Sequence, residues 1–374
     1  MNVRTSKFAA AATLGIVSVF GLAACSGNDG GVKVPSNGAS SSAGSSSKLS
    51  GSLAGSGASS AEAAQSAWTQ NFMALNPGAS VTYDAVGSGK GREQFLSKGV
   101  VFAGSDKPLS AQEITSSKER CFGGQAFDIP IYISPIAVVY KLDGVKDLQL
   151  SPDALAGIFS GKITKWNDPA IKADNPNANL PDKQIVPVHR ADKSGTTENF
   201  TEYLSKNSPQ TWTAGAVETW PNAGGQSGDG TTGLIKVVEG GDGTIGYADA
   251  SKAGNLSTAK IKVGDKYVGY TPEEAAKAVE ISPRAQGRSD HDIVVELDRT
   301  TKEAGTYPLV LVSYLAVCDT YQNQQEADLV KAYADYIVST DGQQAAHQAA
   351  GSAPLTTKLS DEAKKAISSI KAKA

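Results

Sequence analysis

Histidine, cysteine and methionine are all scarce in this chain, with three, three and two residues among 374. His189, His291 and His347 stand far apart and have no companion cysteine pattern, which argues against a zinc site. An excess of one charge is missing as well. The 35 Lys and Arg are balanced by 38 Asp and Glu, with no basic run before the Lys-rich last turn, so nucleic acid meets no electrostatic footprint. Cofactor loops are lacking too. Gly241-Asp242-Gly243-Thr244-Ile245-Gly246 fits G-x-G-x-x-G in letters, but Tyr247-Ala248-Asp249-Ala250-Ser251 comes next, with no helix carrying a ribose-binding acid. Gly89-Lys90 lacks the Ser or Thr that a Walker loop places after its lysine. A hydrolase needs a nucleophile with a base in reach, or a two-metal carboxylate cluster. His189 near Ser194 is the one candidate pair, and closeness within a loop is not a triad. The expectation is a non-enzyme without metal or cofactor.

Long apolar runs are absent except at the start, where Arg4 and Lys7 precede a run from Phe8 to Phe20 ending in Leu22-Ala23-Ala24-Cys25. The run is too short and too rich in small residues for a stable membrane span, and a small-residue cleavage site comes directly after it. Residues 1–24 therefore read as a signal peptide. Leu22–Cys25 resembles the bacterial lipobox, whose cysteine becomes the lipidated first residue of the mature chain, so Cys25 is the expected lipid site. From Ser26 to Ser52 the chain is dominated by Gly, Ser, Ala and Asn, a composition that cannot offset its own ordering entropy. Residues 25–52 read as a lipidated cysteine and a flexible tether. Cys121 and Cys318 then remain, and in an oxidising compartment two spare thiols suggest a disulfide. Two independent buried thiols are the alternative, because sequence cannot bring their Cα atoms within reach.

Beyond the tether lie roughly 320 residues, more than one hydrophobic core usually serves, so two domains are expected. Strand and helix patterns alternate throughout, which points to α/β architecture. The clearest strands are Val81–Tyr83, Gly99–Ala103, Ile131–Tyr140, Ile185–Val188, Thr244–Tyr247 and Tyr307–Tyr314. Helical spacing joins Trp68, Phe72 and Leu75, joins Phe200 with Leu204, and marks a long helix around Glu326–Val338. No repeat and no Pro-rich or charged linker occurs after Ser52, so the chain is expected to cross between its domains more than once.

Three times, Gly, Ser and Thr collect just before a predicted helix. Gly55-Ser56-Gly57-Ala58-Ser59-Ser60 precedes the helix of Trp68, Gly87-Ser88-Gly89-Lys90-Gly91 that of Phe95, and Ser194-Gly195-Thr196-Thr197 that of Phe200. A helix N-terminus offers unpaired N–H groups and the positive end of the macrodipole; a hydroxyl adds a donor and glycine lets backbone approach closely. Such a place suits an oxyanion, although a single one is usually only a helix cap. Arg190, in His189-Arg190-Ala191-Asp192-Lys193-Ser194, should emerge at a strand C-terminus, where α/β sheets place ligands. It is the natural charge partner, and the spacing of Asp192 lets that carboxylate hold the guanidinium. Asp106 comes after the strand Val101-Phe102-Ala103-Gly104-Ser105. A carboxylate repels an anion unless the ligand carries a proton that it can accept.

At these residues the chain resembles the phosphate-binding lipoproteins of phosphate-specific ABC importers. Leu155-Ala156-Gly157-Ile158-Phe159-Ser160-Gly161-Lys162-Ile163 with Trp166-Asn167-Asp168 looks like an interior signature of that family. Arg190 to Thr197 is similar to its binding-loop motif, and Gly243-Thr244-Ile245-Gly246-Tyr247 to one of its strands. The resemblance implies an α/β type II periplasmic-binding-protein fold, two domains closing on phosphate about a hinge. They are expected at 53–131 with 306–374, and at 132–305. It implies phosphate contacts from Ser59, Ser60, Ser88, Asp106, Arg190, Ser194, Gly195 and Thr196, with Asp192 behind Arg190. It also implies a monomer at the outer face of the cell membrane, held there by lipid on Cys25, with permease subunits of an importer as partners. The family usually has Thr-Phe-Pro where this chain has Ser59-Ser60-Ala61, which keeps a hydroxyl and loses a bulky wall. Sulfate or molybdate is the alternative ligand, and Asp106 discriminates. A signalling or adhesive lipoprotein on the same fold is the third class.

Overall fold

A computed structural model describes residues 49–374. The signal peptide, Cys25 and the tether as far as residue 48 lie outside the described residues. The last part of the expected tether is ordered backbone, since β1 runs Ser50–Gly57. Its composition reads as coil, but it is paired in parallel on both sides, with β2 (Gly78–Asp84) and with β3 (Phe102–Ser105). Backbone bonds hold it where side chains cannot, and its small residues have a packing use. A Cβ at Gly55 would run into the Phe102 ring, and Gly57, at φ +145°, lies against the Gly104 carbonyl.

β4 (Ala126–Lys141) is buried along all but its last residue, the continuous pattern of a strand covered on both faces. The other strands of this sheet are β5 (Val186–Arg190), β6 (Gln226–Gly228), β7 (Thr244–Asp249), β8 (Ser257–Thr258) and β9 (Val310–Cys318). The sheet order is β2-β1-β3-β9-β4-β7-β5-β6, with β8 also on β4. β4 is shared. Its first part pairs antiparallel with β9, from Ala126↔Cys318 to Pro135↔Val310. Its second part pairs with β7, from Ile136↔Asp249 to Lys141↔Thr244. One lobe therefore gathers β1, β2, β3 and β9, the other β5, β6 and β7, and β4 passes between them.

Among the helices that pack on these strands are α1 (Glu62–Leu75), α2 (Ser88–Leu96), α3 (Gly195–Asn207), α4 (Gly230–Gly240) and α5 (Gln324–Val338). Trp68 and Phe72 are buried as expected, but Leu75 is 68% exposed. Tyr333 and Tyr336 of α5 pack on Phe72, and Leu75 closes the helix one turn further on. Two strand expectations also shift. Gly99–Val101 form a turn before β3, because Lys98 takes φ +66° and the Gly99 N–H closes back on Gln94. Tyr307–Leu309 precede β9, where Pro308 has no N–H for a ladder. Cys121 and Cys318 are joined by a disulfide, their Cα atoms 5.2 Å apart. Among the described residues no helix is long and apolar enough to cross a membrane.

Candidate functional site

The hydroxyl loops lie at strand C-termini on facing edges of the two lobes. Ser59 and Ser60 come after β1, Ser88 opens α2, and Asp106 comes after β3; Arg190 ends β5 and Ser194–Thr196 open α3. All are buried. Close approach of the lobes depends on glycine. A Cβ at Gly195 would sit 2.7 Å from Ser88 Oγ and 2.9 Å from Asp106 Cβ.

Asp106 stands at the centre, 3% exposed. Its carboxylate accepts from Ser60 Oγ at 2.8 and 2.7 Å, and from Thr196 Oγ1 of the other lobe at 2.8 Å. Its N–H donates to Ser88 Oγ at 3.1 Å, and its carbonyl accepts from Asn199 Nδ2 at 2.7 Å. Burial pushes its pKa up, opposed by the hydroxyl hydrogen bonds from Ser60 and Thr196 and by the charge of Arg190. The site thus holds a carboxylate whose ionised form is stabilised only by a few directed donors.

Arg190 is 3% exposed and forks onto Asp192. Nε donates to Asp192 Oδ1 at 2.7 Å and Nη2 to Oδ2, while Nη1 lies 3.4 Å from Thr231 Oγ1. Asp192 also accepts the Gly230 N–H at 3.0 Å. Gly87, at φ +92°, gives Asp192 room, since a Cβ there would overlap the carboxylate. Ser194 Oγ accepts from the Thr197 N–H at 3.2 Å, which leaves its own O–H free to donate. His189 is not paired with Ser194; its ring stacks on Trp220 at 4.9 Å, with Nδ1 3.0 Å from the Arg190 carbonyl.

Sequence reasoning missed Thr231. It lies in Gly228-Asp229-Gly230-Thr231-Thr232, a fourth Gly/Thr run at a helix start. Thr231 Oγ1 is 3.0 Å from Ser59 Oγ, and its N–H donates to the same oxygen, so the two lobes meet hydroxyl to hydroxyl. Asn199 was missed as well, one turn into α3, where its amide ties the Asp106 and Gly195 carbonyls. Four helix N-termini, one arginine, several hydroxyls and the Asp106 carboxylate converge, a set that suits a small oxyanion bearing a proton.

Residues 41–341 match the PBP superfamily domain. The chain is 33% identical to the phosphate-binding protein PstS 3 of Mycobacterium leprae over 88% of its own length and 90% of the relative's. It is 34% identical to PstS 2 of Mycobacterium tuberculosis, covering 83% of this chain and 84% of that one. Among solved structures, a high-affinity periplasmic phosphate-binding protein with phosphate bound superposes with a TM-score of 0.68 at 21% identity, over 84% of this chain and 93% of that one. By family and by fold, then, this chain belongs to the PBP superfamily and, within it, to the phosphate-binding proteins of the PstS type.

Proposed function

We propose that this chain captures inorganic phosphate and delivers it to an ABC-type importer. The observation that carries the reading is the presence of Asp106 and Arg190 together in one buried, hydroxyl-lined site. Arg190 neutralises the oxyanion, and the O–H groups of Ser59, Ser88 and Ser194 with the N–H groups of Ser60, Gly195 and Thr196 donate to its oxygens, while the Ser60 and Thr196 hydroxyls hold the Asp106 carboxylate. Asp106 accepts the one proton that hydrogen phosphate retains. Sulfate has none at neutral pH, so it meets a carboxylate with repulsion and no compensating hydrogen bond.

The lobes responsible are assigned to 53–131 with 306–374 and to 132–305, hinged at the strand and linker crossings between them. Export by residues 1–24 and lipid on Cys25 would hold the protein at the outer face of the membrane, within reach of the permease subunits, as a monomer. Arg190→Ala tests the site. Removing one partner of a buried charge pair costs about 2–5 kcal/mol, so phosphate binding should weaken by roughly 30-fold to several thousand-fold with the fold retained. Equilibrium binding with circular dichroism as a folding check measures it, and unchanged affinity would place the site elsewhere.

A further inference from the structure

Arg92, four residues past Ser88 in α2, is 1% exposed and takes no part in the anion site. Its guanidinium donates from Nε to Glu113 Oε1 at 2.9 Å and from Nη1 to Ser105 Oγ at 2.9 Å. Those two partners belong to its own lobe. Nη2 reaches across to both carboxylate oxygens of Glu218, at 2.8 Å each, in the segment between α3 and β6. The Glu218 side chain is only 8% exposed. Lys107 spans the same gap, with Nζ 2.8 Å from Glu198 and 3.6 Å from Glu218.

Both ends of the Arg92–Glu218 pair abut the anion site. Ser105 directly precedes Asp106, and the Glu218 carbonyl accepts the Ser194 N–H at 3.0 Å. An interaction between groups on different lobes is present only while the cleft is closed, so it biases closure and the binding linked to it. Glu113 belongs to the same lobe as Arg92, so opening would not leave a buried cation alone. The geometry points to Arg92 and Glu218 as a closure latch, a positioning pair that holds the cleft shut on its anion and sets the rate of release. The latch rests on the phosphate reading of the site.

Stopped-flow rates of phosphate association and dissociation, with unfolding temperatures measured without phosphate, test the pair in the wild type, Glu218→Gln, Glu218→Asp and Arg92→Lys. Glu218→Gln is expected to keep the ligand-free unfolding temperature and the association rate while dissociation accelerates at least about tenfold, because losing a buried charge partner acts on the off-rate. Glu218→Asp, which keeps the charge, should recover part of that, and Arg92→Lys should fall between. Where Glu218→Gln does not fold, Arg92→Lys decides. An unchanged dissociation rate, or a change matched by an equal loss of ligand-free stability, overturns the latch, as does failure of both variants to fold. If the wild type binds no phosphate, the phosphate reading fails and the latch falls with it.

Discussion

On the proposed reading, the carboxylate of Asp106 decides which oxyanion the site accepts. A site built to pair with a ligand O–H discriminates by about 10⁴–10⁵ against an analogue lacking it. Asp106→Asn keeps the shape but replaces an obligate acceptor with a group that also donates, so sulfate should gain measurable binding while phosphate weakens modestly. Calorimetry of the variant with both anions checks this, and continued exclusion of sulfate would remove Asp106 from its role. The raised pKa of Asp106 gives a companion expectation for the wild type. As pH falls, the carboxylate protonates, losing its charge and gaining an O–H that donates, so phosphate affinity should drop and sulfate exclusion relax together. Asp106 and Arg190 were legible because each sits at the end of an apolar strand, and strand ends are where this architecture puts ligands. Thr231 was not, because the strand before it, Gln226–Gly228, has three residues and no apolar run to announce it.

At the scale of elements, the strands that composition announces and those that pairing alone secures part company. Most of β4 was legible from the apolar run Ile131–Tyr140, broken by Ser134 and Pro135. β1 was not, since glycine and serine carry no periodicity and its pairing is invisible in one sequence. α2 shows what β1 demands of its neighbours. A Cβ at Gly91 would overlap Gly57 Cα and press on the Ser56 carbonyl, both backbone, so the helix rests directly on the strand that leads to Ser59 and Ser60. Gly91→Ala should therefore destabilise by about 1–3 kcal/mol, the range for overpacking a close contact. Urea denaturation measures it, and an unchanged midpoint would mean that the strand and helix are not held so near. Leu75 shows the opposite limit: helical spacing identifies a face but not where the cover on that face ends.

Across the whole molecule, two lobes share β4 and are tied by contacts that neither makes alone, such as Thr196 to Asp106 and Ser59 to Thr231. The two-domain expectation was legible from length; the shared strand was not, because Pro135 at the change of partner is a weak signal that Pro130, inside the first ladder, also carries. The Cys121–Cys318 disulfide closes a sequence separation of 197 residues. By the chain-entropy account a loop of that length stabilises by about 5 kcal/mol, with native bridges typically worth about 2–5. The Cys121→Ala/Cys318→Ala variant should unfold at clearly lower denaturant, and equal midpoints for variant and wild type would show the bridge to be idle. The central claim is that this fold closes on phosphate and refuses sulfate. Titration calorimetry on wild-type protein stripped of anion at neutral pH tests it: the account predicts saturable one-to-one binding of phosphate and no detectable heat from millimolar sulfate. Equal affinity for the two anions, or no binding of phosphate, would contradict it.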